Sequence, residues 1–337
     1  MRKIITLLLI LASFKAFSQK DTLFLKNGKH QIKAVGKYKN NKETGLWTYF
    51  HKNGKKQSEG NYENGKMVGI WTFWLENGDF ASEKAFRKKS DFTTRTTTDT
   101  IKFIGKFEYG KETGFWQYFH LNGKMQSEGY FDNGNPLGRW VNLSRKGDTT
   151  CIANYDENGL NVGELIEYNN ENKTKITFNM VNNKPNGEAI QTNEKNRVLS
   201  KATYINGEVT GKWVSYHPNQ KIESEGYMKK GNMDSLWHFY DEKERLDEVG
   251  YFSNGSKIGK WGRYNYEKSE SVEKTYKNNK ANGEVIWRNF KGKITTKGYF
   301  MDDNRIGRWV FYDENGKIEK YMYYDNNGTL IKEEKNN

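Results

Sequence analysis

Large apolar residues in this chain come in short runs, and polar Asn-Gly pairs divide them. The clearest case is residues 60–78, GNYENGKMVGIWTFWLENG. As a template it reads G-x-Φ-x-N-G-x-x-x-G-x-W-x-x-Φ-x-x-N-G, with Φ aromatic. Aromatic and β-branched runs bounded by Asn-Gly predict a two-stranded hairpin. A type I′ turn needs positive φ at both central residues, which Asn tolerates and Gly adopts freely. A Gly-containing connection then leads into the next hairpin.

The template recurs along nearly the whole chain. The Gly two places before the Trp position falls at Gly45, Gly69, Gly114, Gly138, Gly163, Gly187, Gly211, Gly259, Gly283 and Gly307, with Ser235 standing in once. From Gly114 onward the steps are 24 residues, with a single 25. A fixed period of this length predicts a repeat array, and it is too short for propeller blades of ~40–45 residues. The Trp position holds Trp47, Trp71, Trp116, Trp140, Trp213, Trp237, Trp261 and Trp309, and is replaced by Leu165, Ala189 and Val285. Seven places before the marker an aromatic recurs, as in Tyr38, Tyr62, Phe107 and Phe131.

Residues 42–60 and 111–129 agree at 15 of 19 positions, which points to duplication of a block of units. Between them the step from Gly69 to Gly114 is 45 residues. Residues 87–104 have lost the landmarks there, as a degenerate unit or an inserted loop. Residues 19–35 read as an N-terminal capping half-unit with a strand at 22–25 and a turn at Asn27-Gly28. The array itself covers residues 36–324, and 325–337 read as a polar C-terminal tail.

Side chains alternate across a strand, so Trp47 and Tyr49 share one face while Thr48 and Phe50 share the other. Both faces should carry ladders of large side chains on every second strand, ~9.6 Å apart at the usual strand spacing. Cross-strand aromatic pairs of roughly 0.2–1 kcal/mol each, repeated along an array, can hold a sheet without a second layer. The Gly of G-x-Y removes a side chain where a neighbouring ring can lie across the backbone. The expected fold is all-β: an elongated single-layer antiparallel meander of about twelve 24-residue β-hairpin repeats.

Composition agrees with this picture and adds a location. The chain has 337 residues, only 34% hydrophobic but 15% aromatic, too little apolar material for a large two-layer core. Residues 1–18 read as a secretory signal: Arg2 and Lys3, an apolar stretch from Ile4 to Leu11, and a small-x-small site ending at Ser18. The apolar run is shorter than the ~20 residues a spanning helix needs. A secreted or periplasmic destination follows, with cleavage after Ser18. Without Arg2, Lys3 and Lys15 the chain keeps 52 basic and 42 acidic residues, net +10, which favours anionic partners. The lysines are scattered rather than gathered into a stripe, so nucleic acid is not an expected partner. Cys151 is the only cysteine, and its apolar surroundings predict burial.

Candidate chemistry is sparse. His51, His120 and His217 occupy the same template place in units far apart, so they cannot converge on one metal. Glu59, Glu128 and Glu225 recur as repeated solvent positions, and Glu43 matches Glu112. No H-E-x-x-H, paired-Cys or Walker pattern is present. No catalytic residue, cofactor or metal site is expected, and no enzyme. The residues singled out are the template indoles, Trp47, Trp71, Trp116, Trp140, Trp213, Trp237, Trp261 and Trp309, either as a binding face or as the packing that holds the sheet.

With its paired N-G turns and G-x-W-x-x-Y core over about residues 36–324, the chain resembles the MORN-repeat variant family, which includes bacterial members labelled antitoxin-like. The resemblance implies protein–protein or membrane-surface association, and neutralisation of a toxin. Three functional expectations result: a non-enzymatic repeat scaffold that binds another protein, a binder of envelope glycan or anionic membrane surface, or a toxin-neutralising protein.

Overall fold

The structure, a computed structural model, describes residues 21–24, 31–76 and 101–336. The expected signal segment 1–18, the turn at Asn27-Gly28 and residues 87–100 of the divergent stretch lie outside the described residues. Those described are strands and turns, with no helix among them. They fall into two units, one running to Asp148 with Glu157–Gly159, the other made of Thr149–Asp156 and the chain from Leu160 onward.

The first unit contains β1 (Asp21–Phe24), β2 (Ile32–Lys39), β3 (Lys42–Phe50), β4 (Lys56–Glu63), β5 (Lys66–Trp74), β6 (Ile101–Glu108), β7 (Lys111–Phe119), β8 (Met125–Asp132) and β9 (Asn135–Leu143). The second contains β10 (Thr149–Tyr155), β11 (Gly163–Asn169), β12 (Thr174–Val181), β13 (Lys184–Pro185), β14 (Gly187–Asn193), β15 (Val198–Ile205), β16 (Glu208–Tyr216) and β17 (Ile222–Lys229). It continues through β18 (Asn232–Tyr240), β19 (Leu246–Ser253), β20 (Ser256–Asn265), β21 (Glu270–Lys277), β22 (Lys280–Asn289), β23 (Ile294–Met301), β24 (Asn304–Tyr312), β25 (Ile318–Tyr324) and β26 (Leu330–Lys335). Within each unit every strand pairs antiparallel with the next, except that β12 pairs with both the short β13 and β14. Each unit is an open single-layer meander of hairpins, as the period predicts.

The two Asn-Gly pairs of the template make different turns. Between β4 and β5, Glu63 faces Lys66, and Asn64 and Gly65 both have positive φ (50° and 78°), a type I′ turn. After β3 only Gly54 is left-handed (82°). There the Gly54 N–H donates to the His51 carbonyl (2.9 Å), the His51 N–H donates to the Lys55 carbonyl (2.8 Å), and the register slips between Tyr49 and Phe50. That is a type I turn closed by a glycine bulge.

The marker Gly is a second bulge. Glu59 faces Thr72 while Asn61 faces Val68, so Gly60 opposes a stretch of three residues, Gly69-Ile70-Trp71. Gly69 adopts φ 68° there, and equivalent residues lie close to this value in most units.

Strands β5 and β6, on either side of the 45-residue step, are direct partners. Gly69 faces Phe107 and Trp71 faces Gly105, the register of Gly45 with Tyr62 and Trp47 with Gly60. The extra length lies in the segment that joins these two hydrogen-bonded neighbours. The expected polar tail 325–337 needs correction, since Leu330–Lys335 pairs with Ile318–Tyr324 as a last strand. Asp325-Asn326-Asn327-Gly328 supplies the turn, with the Asp325 carboxylate accepting from the Asn327 and Thr329 N–H groups at 2.9 and 2.8 Å.

Candidate interaction face

One face of the sheet is closed by its own rings. Seven of the eight template indoles lie over the glycine of the preceding strand: Trp47 on Gly36, Trp71 on Gly60, Trp116 on Gly105, Trp140 on Gly129, Trp237 on Gly226, Trp261 on Gly250 and Trp309 on Gly298. A Cβ on any of these glycines would come within 2.0–2.3 Å of the ring. In six of the seven the indole N–H completes the arrangement by donating to a backbone carbonyl, as Trp71 does to Asn61 (3.1 Å) and Trp140 to Tyr130 (3.0 Å), while the buried Trp309 N–H meets no acceptor.

The ring at the −7 position sits on this same face and wedges edge-on between successive indoles. Tyr62 lies 6.1 Å from Trp47 and 5.1 Å from Trp71. The residue two after the indole adds a stacked layer, as Tyr49 does on Trp47 at 5.8 Å. From β2 to β9 ring contacts thus pass through every strand rather than every second one, at 4.1–6.4 Å between centroids. The reason is the register: Trp47 faces Gly60, and Tyr62, two residues further along β4, points to the same side.

These seven indoles are between 0% and 8% exposed, so they present no surface of their own. Trp213 differs. Ala202 occupies the glycine position opposite it, and the indole is only partly buried, against Trp237. In three of the four units without an indole over a glycine, the marker glycine also opens, to 104° at Gly187, 131° at Gly211 and 119° at Gly283. It is 60–68° where the pair is intact.

The opposite face is mixed and open. In the first unit its exposed row includes Lys37, Leu46, Ile70, Lys106, Phe115, Tyr130 and Arg139, with Ile70 directly facing Lys106 and Phe115 facing Tyr130. The Phe115 and Tyr130 rings lie 5.2 Å apart above a shallow hollow that Leu137 and Val141 also line. These residues were missed by the sequence reading. Their signal was the large apolar residue between marker Gly and Trp, which alternation places on the face away from the indole.

On the same face of the second unit, charged side chains pair across strands: Lys212 with Glu225, Lys260 with Glu273, and Lys297 with Glu284, at 2.7–3.6 Å. Glu59 accepts from Thr48 (2.8 Å) and Lys56 (2.7 Å), and the Lys56 ammonium holds its carboxyl below the usual range. Exposed pairs of this kind contribute roughly 0–1 kcal/mol each. They set the polarity of the face more than its stability.

The repeated histidines are struts between units. The Nε2 of His51, His120 and His217 donates to the carbonyl of Trp74, Leu143 and Tyr240, 23 residues on, at 2.8–2.9 Å. Asn53, Asn122 and Asn219 reach equally far, to the carbonyls of Glu76, Arg145 and Glu242. The carbonyls of Glu43 and Glu112 accept the Gly65 and Gly134 N–H groups from the next type I′ turns. Cys151, expected to be buried, is half-buried against Ala153, Leu165 and Met180. Among the described residues no group of three or more His, Cys, Asp or Glu is placed to hold a metal ion.

These features define a class: a hairpin-repeat β-meander with one self-packed ring face and one exposed mixed face. No known family model matches the chain. No curated protein matches it either. Among solved structures, "Crystal Structure of TcdB2-TccC3 without hypervariable C-terminal region" aligns with 93% of this chain at 8% identity and a TM-score of 0.13, and the alignment spans 22% of that chain.

Proposed function

We propose that this protein is a non-enzymatic repeat scaffold, secreted or periplasmic, that holds another protein along the mixed face of its sheet. The observation that carries the reading is the exposed row of the first unit. Leu46 and Ile70 are 57% and 67% exposed in a sheet that buries every ring it can on the other side. Large apolar groups kept in water on a regular lattice are what interface anchors look like before a partner arrives. The resemblance to MORN-variant repeats supports the same reading, and a secreted toxin is one form such a partner takes.

The test is capture from envelope extracts on immobilised mature chain, compared with Ile70→Glu and Phe115→Glu. A stoichiometric protein retained by the parent chain and lost from both variants supports the proposal. Retention unaffected by either change ends it. Salt-sensitive retention on anionic vesicles or polymer, without a protein partner, favours the surface-binding alternative that the net +10 of the chain without residues 1–18 suggests.

A further inference from the structure

The ring face of the second unit has a gap. From Trp237 to Trp261 the pattern is intact: Trp237 stacks on Phe239 at 6.0 Å, and Phe239 on Trp261 at 6.4 Å. In the next hairpin three template places change together. Arg263 stands two after the indole, Lys274 takes the glycine place, and Val285 takes the indole place. The ladder resumes only at Trp287, whose ring lies 5.7 Å from Trp309.

Beside the gap, toward the turns that follow β18 and β20, lies an open cleft of about 470 Å³, within the size range of small-ligand sites. Val272 and Trp287 give it an apolar wall, and Arg263, Asp247 and Glu270 stand among its polar lining. At its mouth Arg245 is already committed, bound to Asp241 at 2.7 Å and stacked on Tyr266 at 4.1 Å. Lys274 is committed too, its ammonium 5.9 Å from the Trp287 ring centre and 5.4 Å from that of Phe300. Arg263, Asp247 and Glu270 take part in none of the ion pairs among the described residues.

Donors and acceptors of both signs therefore stand unspent beside a half-buried indole. A simple anion would meet Glu270 and Asp247 there, and a simple cation would meet Arg263. A ligand that suits all of them donates and accepts at once and has a flat C–H face for the ring. Sugar hydroxyls both donate and accept, and a pyranose offers such a face. We propose that this cleft is a carbohydrate subsite, binding a segment of a neutral oligosaccharide chain stacked on Trp287 and hydrogen-bonded by Arg263 and Glu270. The site is independent of the mixed face and of any protein held there.

The experiment is native gel electrophoresis of the full mature chain through gels containing hydroxyethyl cellulose, galactomannan or pectate. Retardation by at least one neutral polymer is expected, with the dissociation constant raised at least about tenfold in Trp287→Ala and Arg263→Ala. Glu273→Gln, on the opposite face, should bind as the parent does. Arg263 is exposed, so its variant decides the matter if loss of Trp287 disturbs folding. Failure of every neutral polymer to retard the chain overturns the proposal, as does parent-like binding by the Arg263 variant. Retention on pectate alone that salt abolishes is ion exchange and also overturns it. A protein partner lost from both variants, with no polymer retained, assigns the cleft to protein recognition instead.

Discussion

The indole of Trp71 covers the backbone of Gly60 so closely that a Cβ there would lie 2.2 Å from ring carbon Cδ2. The pair is a lock: the glycine exists so that the ring can cross the strand, and the ring seals the sheet that has no second layer. Gly60→Ala must displace the indole from a site where it is 1% exposed. Overpacking and lost burial together should cost about 3 kcal/mol. A fall in denaturant midpoint with a red shift of tryptophan emission is the expected result. An unchanged midpoint would mean the ring is held by something other than its glycine.

The converse change should close the open unit. Ala202→Gly removes the Cβ that keeps Trp213 off its strand, and lets Gly211 fall from 131° towards the 60–68° of the locked units. Burying more of the indole contributes about 2 kcal/mol, against about 1 kcal/mol for the added freedom of glycine in the unfolded chain. A net gain near 1 kcal/mol and bluer emission are expected. Loss of stability with unshifted emission would refute the lock as the cause.

Much of this architecture could be read from the chain because the repeat writes each rule a dozen times. Asn64-Gly65 announces its turn, and Trp47 with Tyr49 announces a face. What could not be read was anything set by three-dimensional phase. Asn53-Gly54 has the same letters as Asn64-Gly65, yet Asn53 keeps negative φ because the loop is longer. The register that sets Gly60 opposite Trp47 puts Tyr62 on the indole face, which simple alternation along one strand does not show. The last strand was missed because Leu330–Lys335 is mostly charged, although Asn327-Gly328 carried the turn. The cleft beside Trp287 became visible only when Arg263, Val272 and Trp287 were placed side by side across strands β20, β21 and β22.

Ser235 is the one marker position without glycine, and it holds φ 61°. Left-handed backbone costs an L-residue roughly 1–2 kcal/mol. Equivalent glycines such as Gly69 and Gly259 have open space where a Cβ would go, so the cost lies in the backbone alone. Ser235→Gly should therefore raise stability by about 1 kcal/mol, and Gly259→Ser should lower it by a similar amount. Thermal melts of the two variants should move in opposite directions. Movement in the same direction would show that the side chain, through its 3.1 Å bond to Asp234, outweighs the strain.

Alkaline pH should loosen the ring face. Burial raises the phenols of Tyr49, Tyr118, Tyr204 and Tyr276 above their ordinary 10.0, and for Tyr49 the Tyr62 hydroxyl at 3.3 Å adds to it. The neutral form is the one the fold favours. Stability from these groups is complete below the ordinary value and is lost as pH rises through it, because the unfolded chain ionises first. Denaturant midpoints should hold to about pH 9 and fall beyond about pH 10. Ultraviolet titration should show a late-ionising fraction of tyrosine that disappears in denaturant. If all phenols titrate together at the ordinary value in the folded protein, the buried ring face is not as described.

The histidine struts give a local prediction rather than a global one. His120 donates to the Leu143 carbonyl at 2.9 Å and Asn122 to the Arg145 carbonyl at 2.8 Å, so two side chains of one turn hold the start of the next. Each bond should be worth about 1 kcal/mol, and the two share one target, so their losses should not simply add. In the His120→Ala, Asn122→Ala double variant the Ser144 and Gly147 amides, which close that next turn onto Asp148 and Ser144, should exchange with solvent faster. Amides in the locked strand interior around Trp140 should keep their protection, since the indole and Gly129 are untouched. Equal acceleration at both places would mean that the struts hold the whole hairpin rather than its turn, and that unit-to-unit cohesion rests on polar contacts at the sheet's edge more than on its rings.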